Sequence, residues 1–278
     1  MKIEQGLRIA YILFLLFFVT SCGGVFLAES QETPSLRPPM GFRLIDPDKP
    51  EPVVRLPRGN QGIASRYPGD RGIEKDPAVI FVENFDGDRG FLGLRSGGLD
   101  FLERRWETVK HKEAMSLSDE IPPGSSGRNS LLIEHVKGKG GGGELYRRLL
   151  PGYERIFVRY YVKFDKDCAP MGHFGAWIGW YHPTTSWPQG GAGVRPDGKS
   201  RFTTAVEPYG ERWGWDFYTY WQDMRIHGDG KYWGAPFLAG GERPRIRKGE
   251  WICVETMVKL NSPPGASNGE QAFWINGE

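Results

Sequence analysis

Between residues 78 and 278, apolar and polar side chains alternate in short runs closed by Gly, Pro or Asn, a period of two that predicts strands. The runs are Ala78 to Asp86, Ser130 to His135, Glu144 to Leu149, Ile156 to Phe164, Phe174 to Tyr181, Phe202 to Glu207, Trp215 to Trp221, Trp251 to Leu260 and Gln271 to Ile275. No stretch in this span has a helical period, and no repeat of fixed length recurs. An all-β domain over residues 77–278, folded as a sandwich, is the expectation.

Alternate side chains of a strand point to opposite faces, so each run divides into two sets. In FVRYYVKF, Val158, Tyr160, Val162 and Phe164 form an apolar set, and Arg159, Tyr161 and Lys163 the other. In WICVETMVKL, Ile252, Val254, Thr256, Val258 and Leu260 face inward and leave Glu255 and Lys259 outside. The stretch WGWDFYTYW, residues 213–221, splits into a core set (Trp215, Phe217, Thr219, Trp221) and a polar aromatic set (Asp216, Tyr218, Tyr220, with Gln222 beyond). His173, Gly175, Trp177, Gly179 and Tyr181 share one face of their run, and Thr203, Ala205 and Glu207 one face of theirs.

Residues 23–76 show neither period and are rich in Pro, Gly and charge, which predicts a linker or draped arm. Ahead of it, Lys2 and Arg8 precede the apolar run Ile9 to Val19, the length of a leader h-region and short for a membrane span. Residues 1–22 are therefore expected to be an export signal, and the protein to be secreted, periplasmic or tethered to the cell envelope. The sequence VTSCGG resembles a bacterial lipobox with Cys22 as the acylated residue, which would anchor the protein without a spanning helix; an ordinary signal peptide cut near Gly23 is the alternative.

Composition sharpens this picture in two places. Aromatics make up 13% of the 278 residues and there are 39 glycines, about twice the ~7% share of ordinary domains, a mixture suited to short strands and tight turns. The net charge of +2 is small and its cations are scattered, so nothing points to a nucleic-acid partner. Cys168 and Cys253 are open to two readings, a disulfide in an oxidising compartment or buried free thiols.

If the strands share one sheet, its polar face gathers Arg159, Tyr161, Lys163, His173, Trp177, Glu207, Asp216, Tyr218, Tyr220, Glu255 and Lys259. Aromatic rings stack on the C–H faces of sugars, while Arg, Asp and Glu bind hydroxyls or pair with a uronate carboxylate. Each of these residues is also ordinary on a solvated strand face, and only their accumulation points to a site. No G-x-S-x-G elbow, H-E-x-x-H or paired C-x-x-C occurs. KGKGGGGE, residues 137–144, reads as a flexible hairpin between strands. Asn84, Asp86 and Asp88 alternate as a structural calcium site would require, against the plainer reading of an Asp-Gly turn; no other cofactor is expected.

The succession GGAGVRPDGKSRFTTAVEP, WDFYTYW and GEWICVETMVKLNSPPGASNGEQAFWING resembles the concanavalin A-like jelly-roll domains of alginate- and glucuronan-type polysaccharide lyases. The likeness extends from Ile80 to Glu278. It implies a jelly-roll β-sandwich whose Tyr-x-Tyr falls on Tyr218 and Tyr220 as catalytic or substrate-holding phenols, with Lys259 on the Leu-Asn strand. Ala205 stands where such lyases carry an Arg, followed by Glu207, so Arg159, Arg195 or Arg201 would have to replace it. The implied activity is β-elimination on a uronic-acid-containing polysaccharide, with Tyr218, Tyr220, His173 and Lys259 catalytic and Arg159, Tyr161, Trp177, Glu207, Asp216 and Glu255 binding substrate. A hydrolase using Glu207 and Asp216, a non-catalytic lectin-like domain on the same fold and a scaffold module are the other readings. The closing FWINGE ends on a hairpin turn, from which a jelly roll truncated at its C-terminus is expected.

Overall fold

The computed structural model describes residues 8–17 (as backbone), 62–87, 98–135, 142–171, 173–183, 191–211, 213–238, 243–262 and 268–278. Its strands are β1 (Arg8–Phe17), β2 (Val79–Glu83), β3 (Thr108–Lys110), β4 (Met115–Ser118), β5 (Ser130–Glu134), β6 (Glu144–Tyr146), β7 (Arg155–Lys163), β8 (Trp177–Tyr181), β9 (Arg201–Tyr209), β10 (Gly214–Tyr220), β11 (Trp251–Lys259) and β12 (Glu270–Ile275). A seven-stranded sheet runs β12-β11-β7-β1-β5-β4, with β2 also paired to β1; a three-stranded sheet runs β10-β9-β8, and β3 pairs β6. Every pairing is antiparallel. The chain is an all-β sandwich.

The inward sets read from the sequence meet between the two larger sheets. Val158, Tyr160 and Val162 of β7 and Ile252, Val254 and Val258 of β11 share one core with Ile178, Val206, Trp215 and Phe217 of the smaller sheet. Phe164, just past β7, wedges among aromatics, its ring centroid 5.2 Å from Trp213 and 5.9 Å from Trp215. The Tyr160 hydroxyl crosses the layer to donate to the Val206 carbonyl at 3.2 Å, because a buried hydroxyl without a partner is costly. At one margin the Thr204 and Thr219 hydroxyls meet at 2.7 Å beside the amide oxygen of Gln271.

Two segments carry elements that the period did not predict. Within the arm expected over residues 23–76, Ile63–Arg66, Pro68–Asp70 and Ile73–Lys75 form 3₁₀ turns against the outer face of the large sheet. Ile73 is buried there beside Tyr67, Val79, Val82, Phe157 and Tyr161, a single anchor too isolated to register as a period. The run expected to be a leader h-region supplies β1, whose residues 11–17 pair with β7 from Lys163 back to Phe157. An unbroken apolar run suits a strand covered on both faces as well as it suits a leader. Cys22 and residues 23–61 lie outside the described residues.

One smaller expectation is revised, and two pairs of alternatives can be compared with the structure. β5 and β6 belong to different sheets, so the Gly-rich stretch between them joins two sheets and is no hairpin; residues 137–141 lie outside the described part. Cys168 and Cys253 are both buried and free. Asp86 Oδ1 accepts from the backbone N–H of Arg128 at 2.7 Å and of Asn129 at 3.1 Å, tying the Asp-Gly turn to the chain ahead of β5, while Asp88 lies outside the described residues.

The arm is fixed by charge as well as by Ile73. Arg159 donates to Asp70 at 3.2 Å, to Glu255 at 3.1 Å and to the Tyr161 hydroxyl at 2.9 Å, beneath the turns. Removing one partner of a buried ion pair strands the others. Arg159→Ala is therefore expected to lower stability by about 3–5 kcal/mol in urea unfolding, while the near-ultraviolet spectrum of the aromatics on the smaller sheet is retained.

Candidate functional site

The outer face of the three-stranded sheet is set by its register. Trp177 pairs with Ala205, Gly179 with Thr203 and Tyr181 with Arg201; across the other edge of β9, Ala205 pairs with Tyr218, Thr203 with Tyr220 and Glu207 with Asp216. Residues opposite one another across antiparallel strands share a face, so these side chains form one surface. The alternation in WDFYTY already implied it.

His173, just before β8, leans onto this surface. Its Nδ1 lies 3.0 Å from Glu207 Oε1, and its ring centroid is 4.7 Å from that of Tyr218 and 5.8 Å from that of Trp177. Trp177 and Tyr218 approach to 5.8 Å edge to face above Ala205, a row that a larger residue at 205 would push apart. Trp177 is 39% exposed, so an apolar ring faces solvent beside the imidazole. Tyr220 is buried, 2% exposed, with its hydroxyl 3.3 Å from that of Tyr218. Tyr181 extends the face, its hydroxyl 2.7 Å from Thr203 Oγ1.

The charge states follow from burial and contact. The hydrogen bond to Glu207 raises the His173 pKa, against desolvation, because the carboxylate favours the imidazolium. Burial pushes the Glu207 carboxyl up, with His173 and then the Phe174 backbone N–H opposing, and among the described residues no side-chain partner meets Glu207 Oε2. Burial and then the Tyr220 hydrogen bond raise the Tyr218 phenol, so at neutral pH it is a proton donor and not a base. The Gly234 N–H acts in the opposite sense on the Tyr218 oxygen.

Gly234 belongs to a segment that walls the open edge of β10, where Thr219 and Ala235 form an antiparallel bridge. Asp216 holds that wall. Fully buried, it accepts from the N–H groups of Phe217 at 2.7 Å, Phe237 at 2.9 Å and Leu238 at 3.0 Å on one oxygen, and from Arg243 at 2.6 Å on the other. It is thus structural, and not the substrate ligand expected.

The single polar face expected for all the candidate residues is in fact two. Arg159, Tyr161, Lys163, Glu255 and Lys259 lie on β7 and β11 of the large sheet, whose outer face points away from the smaller sheet. Arg159, Tyr161 and Glu255 serve the arm, and Lys259 binds the Asn268 carbonyl at 3.0 Å and Glu270 at 2.8 Å within the β11–β12 hairpin. Alternation sorts residues within a strand but carries no information about which sheet the strand joins. His173, Trp177, Glu207, Tyr218 and Tyr220 are brought together. Gly234 was missed, and its only signal is a glycine among aromatics in YWGAPF.

Among the described residues, no group of three or more His, Cys, Asp or Glu is placed to hold a metal ion. No helix among them is long and apolar enough to cross a membrane. No family model, no curated protein and no solved structure matched the chain.

A Cβ added to Gly234 would sit 2.3 Å from Tyr218 Cε1. Gly234→Ala must therefore displace either the wall or the phenol. Loss of the Tyr218 contribution to the near-ultraviolet circular dichroism, with the unfolding free energy lowered by about 1–3 kcal/mol through overpacking, is the expected result.

Proposed function

We propose that this is an extracytoplasmic polysaccharide-active protein that binds a uronic-acid-containing glycan along the outer face of β8, β9 and β10 and cleaves it by β-elimination. The concanavalin A-like jelly-roll lyases are the family to which we relate it. The observation that carries this reading is the contact of His173, held by Glu207, with the Tyr218 phenol beside the exposed ring of Trp177.

With Nδ1–H donated to Glu207, the imidazole presents Nε2 as a base. It takes the C5 proton of a uronate; the electrons form the C4=C5 double bond as the C4–O bond breaks. The Tyr218 phenol protonates the departing glycosidic oxygen, and Tyr220 holds that phenol in place. Products are an unsaturated uronate and a shortened chain with a free hydroxyl. Trp177 stacks on a neighbouring sugar.

One observation favours a second reading, a non-catalytic carbohydrate-binding face. Ala205 occupies the centre of the site, so the row that holds Trp177 and Tyr218 has no guanidinium to neutralise the C6 carboxylate. The two readings separate on mixing the protein in turn with alginate, glucuronan, pectate and glycosaminoglycans. Growth of the ultraviolet absorbance of a conjugated uronate supports elimination; retention on one polymer in an affinity gel without that growth supports binding alone.

For a lyase, Tyr218→Phe is expected to lower kcat by about 10²-fold or more with retention on the gel kept. The base works only when neutral, and Glu207 favours its charged form. Activity should therefore rise with pH through a midpoint above the usual 6.5 of histidine, and Glu207→Gln should move that midpoint down.

Export is part of the proposal and rests on the basic and apolar pattern of residues 1–22. The intact mass of the exported protein tests it, with a chain beginning at Cys22 or Gly23 expected and one beginning at Met1 opposed. Cleavage there would take Arg8–Phe17 from the sheet, so the same mass reports whether β1 is kept.

A further inference from the structure

Residues 8–17 fill the centre of the large sheet. On one side, residues 11–17 of β1 pair with β7 from Lys163 back to Phe157. On the other, two strands stand end to end: β5 pairs with Arg8–Ile12 and β2 with Phe14–Phe17. Among the described residues, nothing else joins the two sides, since β7 otherwise pairs only with β11, β5 only with β4, and β2 with no further strand. Neighbouring strands lie about 4.8 Å apart, so the walls on either side of one strand stand roughly 9–10 Å apart, too far to pair directly. Without β1 the sheet would be two pieces.

Both faces of this position are covered. Towards the smaller sheet, Val158, Tyr160 and Val162 of β7, Leu131 and Ile133 of β5 and Phe81 of β2 are buried in one core, which therefore borders the position from both walls. On the opposite face, Phe157 and Tyr161 of β7 and Val79 and Val82 of β2 pack against Ile73 of the arm. A strand placed here meets apolar surroundings above and below, and only an unbroken apolar run fits without burying a polar side chain. Ile9–Val19 is such a run, eleven residues long. Within residues 23–278, the longest run free of Gly and polar residues is Ala78–Val82, five residues that are already taken up by β2 and its approach.

We propose that this position is a strand-acceptor site: in the chain processed at Cys22 or Gly23 it takes an extended apolar strand donated by another polypeptide, antiparallel to β7 and apolar on both faces. The proposal rests on the export reading, because processing is what takes Arg8–Phe17 away. The walls define the donor. Seven backbone pairs along Phe157–Lys163 set its length. The N–H and C=O groups of the two facing edges supply its hydrogen bonds, and the apolar cover on both faces excludes charged side chains at its centre. No run of that length remains in residues 23–278, so the strand comes from elsewhere. Two facing strand edges around an apolar slot are also strongly prone to association, which favours capture of such a strand.

The probe is a fluorescent peptide of residues 8–17 carrying a lysine tail for solubility. A specific protease site is inserted after Gly23 in the full chain, the folded protein is cut there, and the cut chain is passed through mild urea with excess peptide before the urea is removed. It should take up one peptide per chain, read by fluorescence anisotropy and size exclusion, while the uncut chain, whose own strand is tethered, should take up none. Phe14→Pro in the peptide removes a ladder N–H and should weaken uptake about tenfold or more. Serine at positions 12, 14 and 16 together, or at 13, 15 and 17 together, should weaken it as much, because both faces are covered. A cut chain that takes up no peptide overturns the site, whether it refolds alone, pairs with a second copy or stays unfolded. Uptake of either serine peptide as tight as that of the parent would overturn a slot apolar on both faces. An exported protein beginning at Met1 would overturn donation through failure of the export reading, with the peptide result unaffected.

Discussion

Everything in this molecule depends on one constraint, that the strands whose side chains are described give one face to a shared apolar core. Tyr160, Val162, Phe164, Val206, Trp215 and Val254 are all essentially without solvent contact. Burying a large aliphatic or aromatic side chain is worth roughly 1.5–3 kcal/mol, so the inward set is not free to change. Chemistry is left to the alternate positions, and these point outward on two sheets back to back. A residue's sheet therefore decides which set of partners it can meet. Arg159 and Tyr218 both stand on outward positions, yet the thickness of the core lies between them.

The two outer faces have been put to different uses. That of the large sheet is covered by the turns of residues 62–76, and its charges close on one another: Arg159 with Asp70 and Glu255, and nearby Arg66 with Asp76. Burial of charge is tolerated there because every ion has a partner. On the small sheet, the wall held by Asp216 borders the face without covering Trp177 or His173. Glu207 keeps one oxygen on the imidazole of His173, whose other side stays open to solvent, so this charge is not closed off as those of the large sheet are.

Much of the fold was legible because alternation is a local property of the chain. The run expected over Ile156 to Phe164 is the strand Arg155–Lys163, and that expected over Trp251 to Leu260 is Trp251–Lys259. Face assignments held in these strands and in β10 for the same reason. What alternation does not encode is pairing, which is non-local; hence eleven outward residues expected together were divided between two sheets. Short elements also escaped it, since three residues in Thr108–Lys110 or one turn in Leu102–Arg105 are too few to show a period. Asp216 shows a third limit. Its outward position was read correctly, but a residue covered by the chain and a residue open to solvent look alike until Phe237, Leu238 and Arg243 are placed.

The candidate site shows how structural and functional duties are joined through single residues. Asp216 neither touches the platform's open surface nor belongs to the core, yet its carboxylate fixes Phe237, Leu238 and Arg243, and so the course of the chain that places Gly234 against Tyr218. Because a buried carboxylate must have its acceptors filled, the wall cannot drift without leaving that charge unsolvated. The position of the Tyr218 phenol is thereby coupled to an ion pair on the neighbouring register row. The outer face of the small sheet inherits its rigidity from this arrangement: β9 supplies Glu207, β10 supplies the phenols beside it, and the same backbone ladder that sets their spacing also presses Val206 and Phe217 into the core.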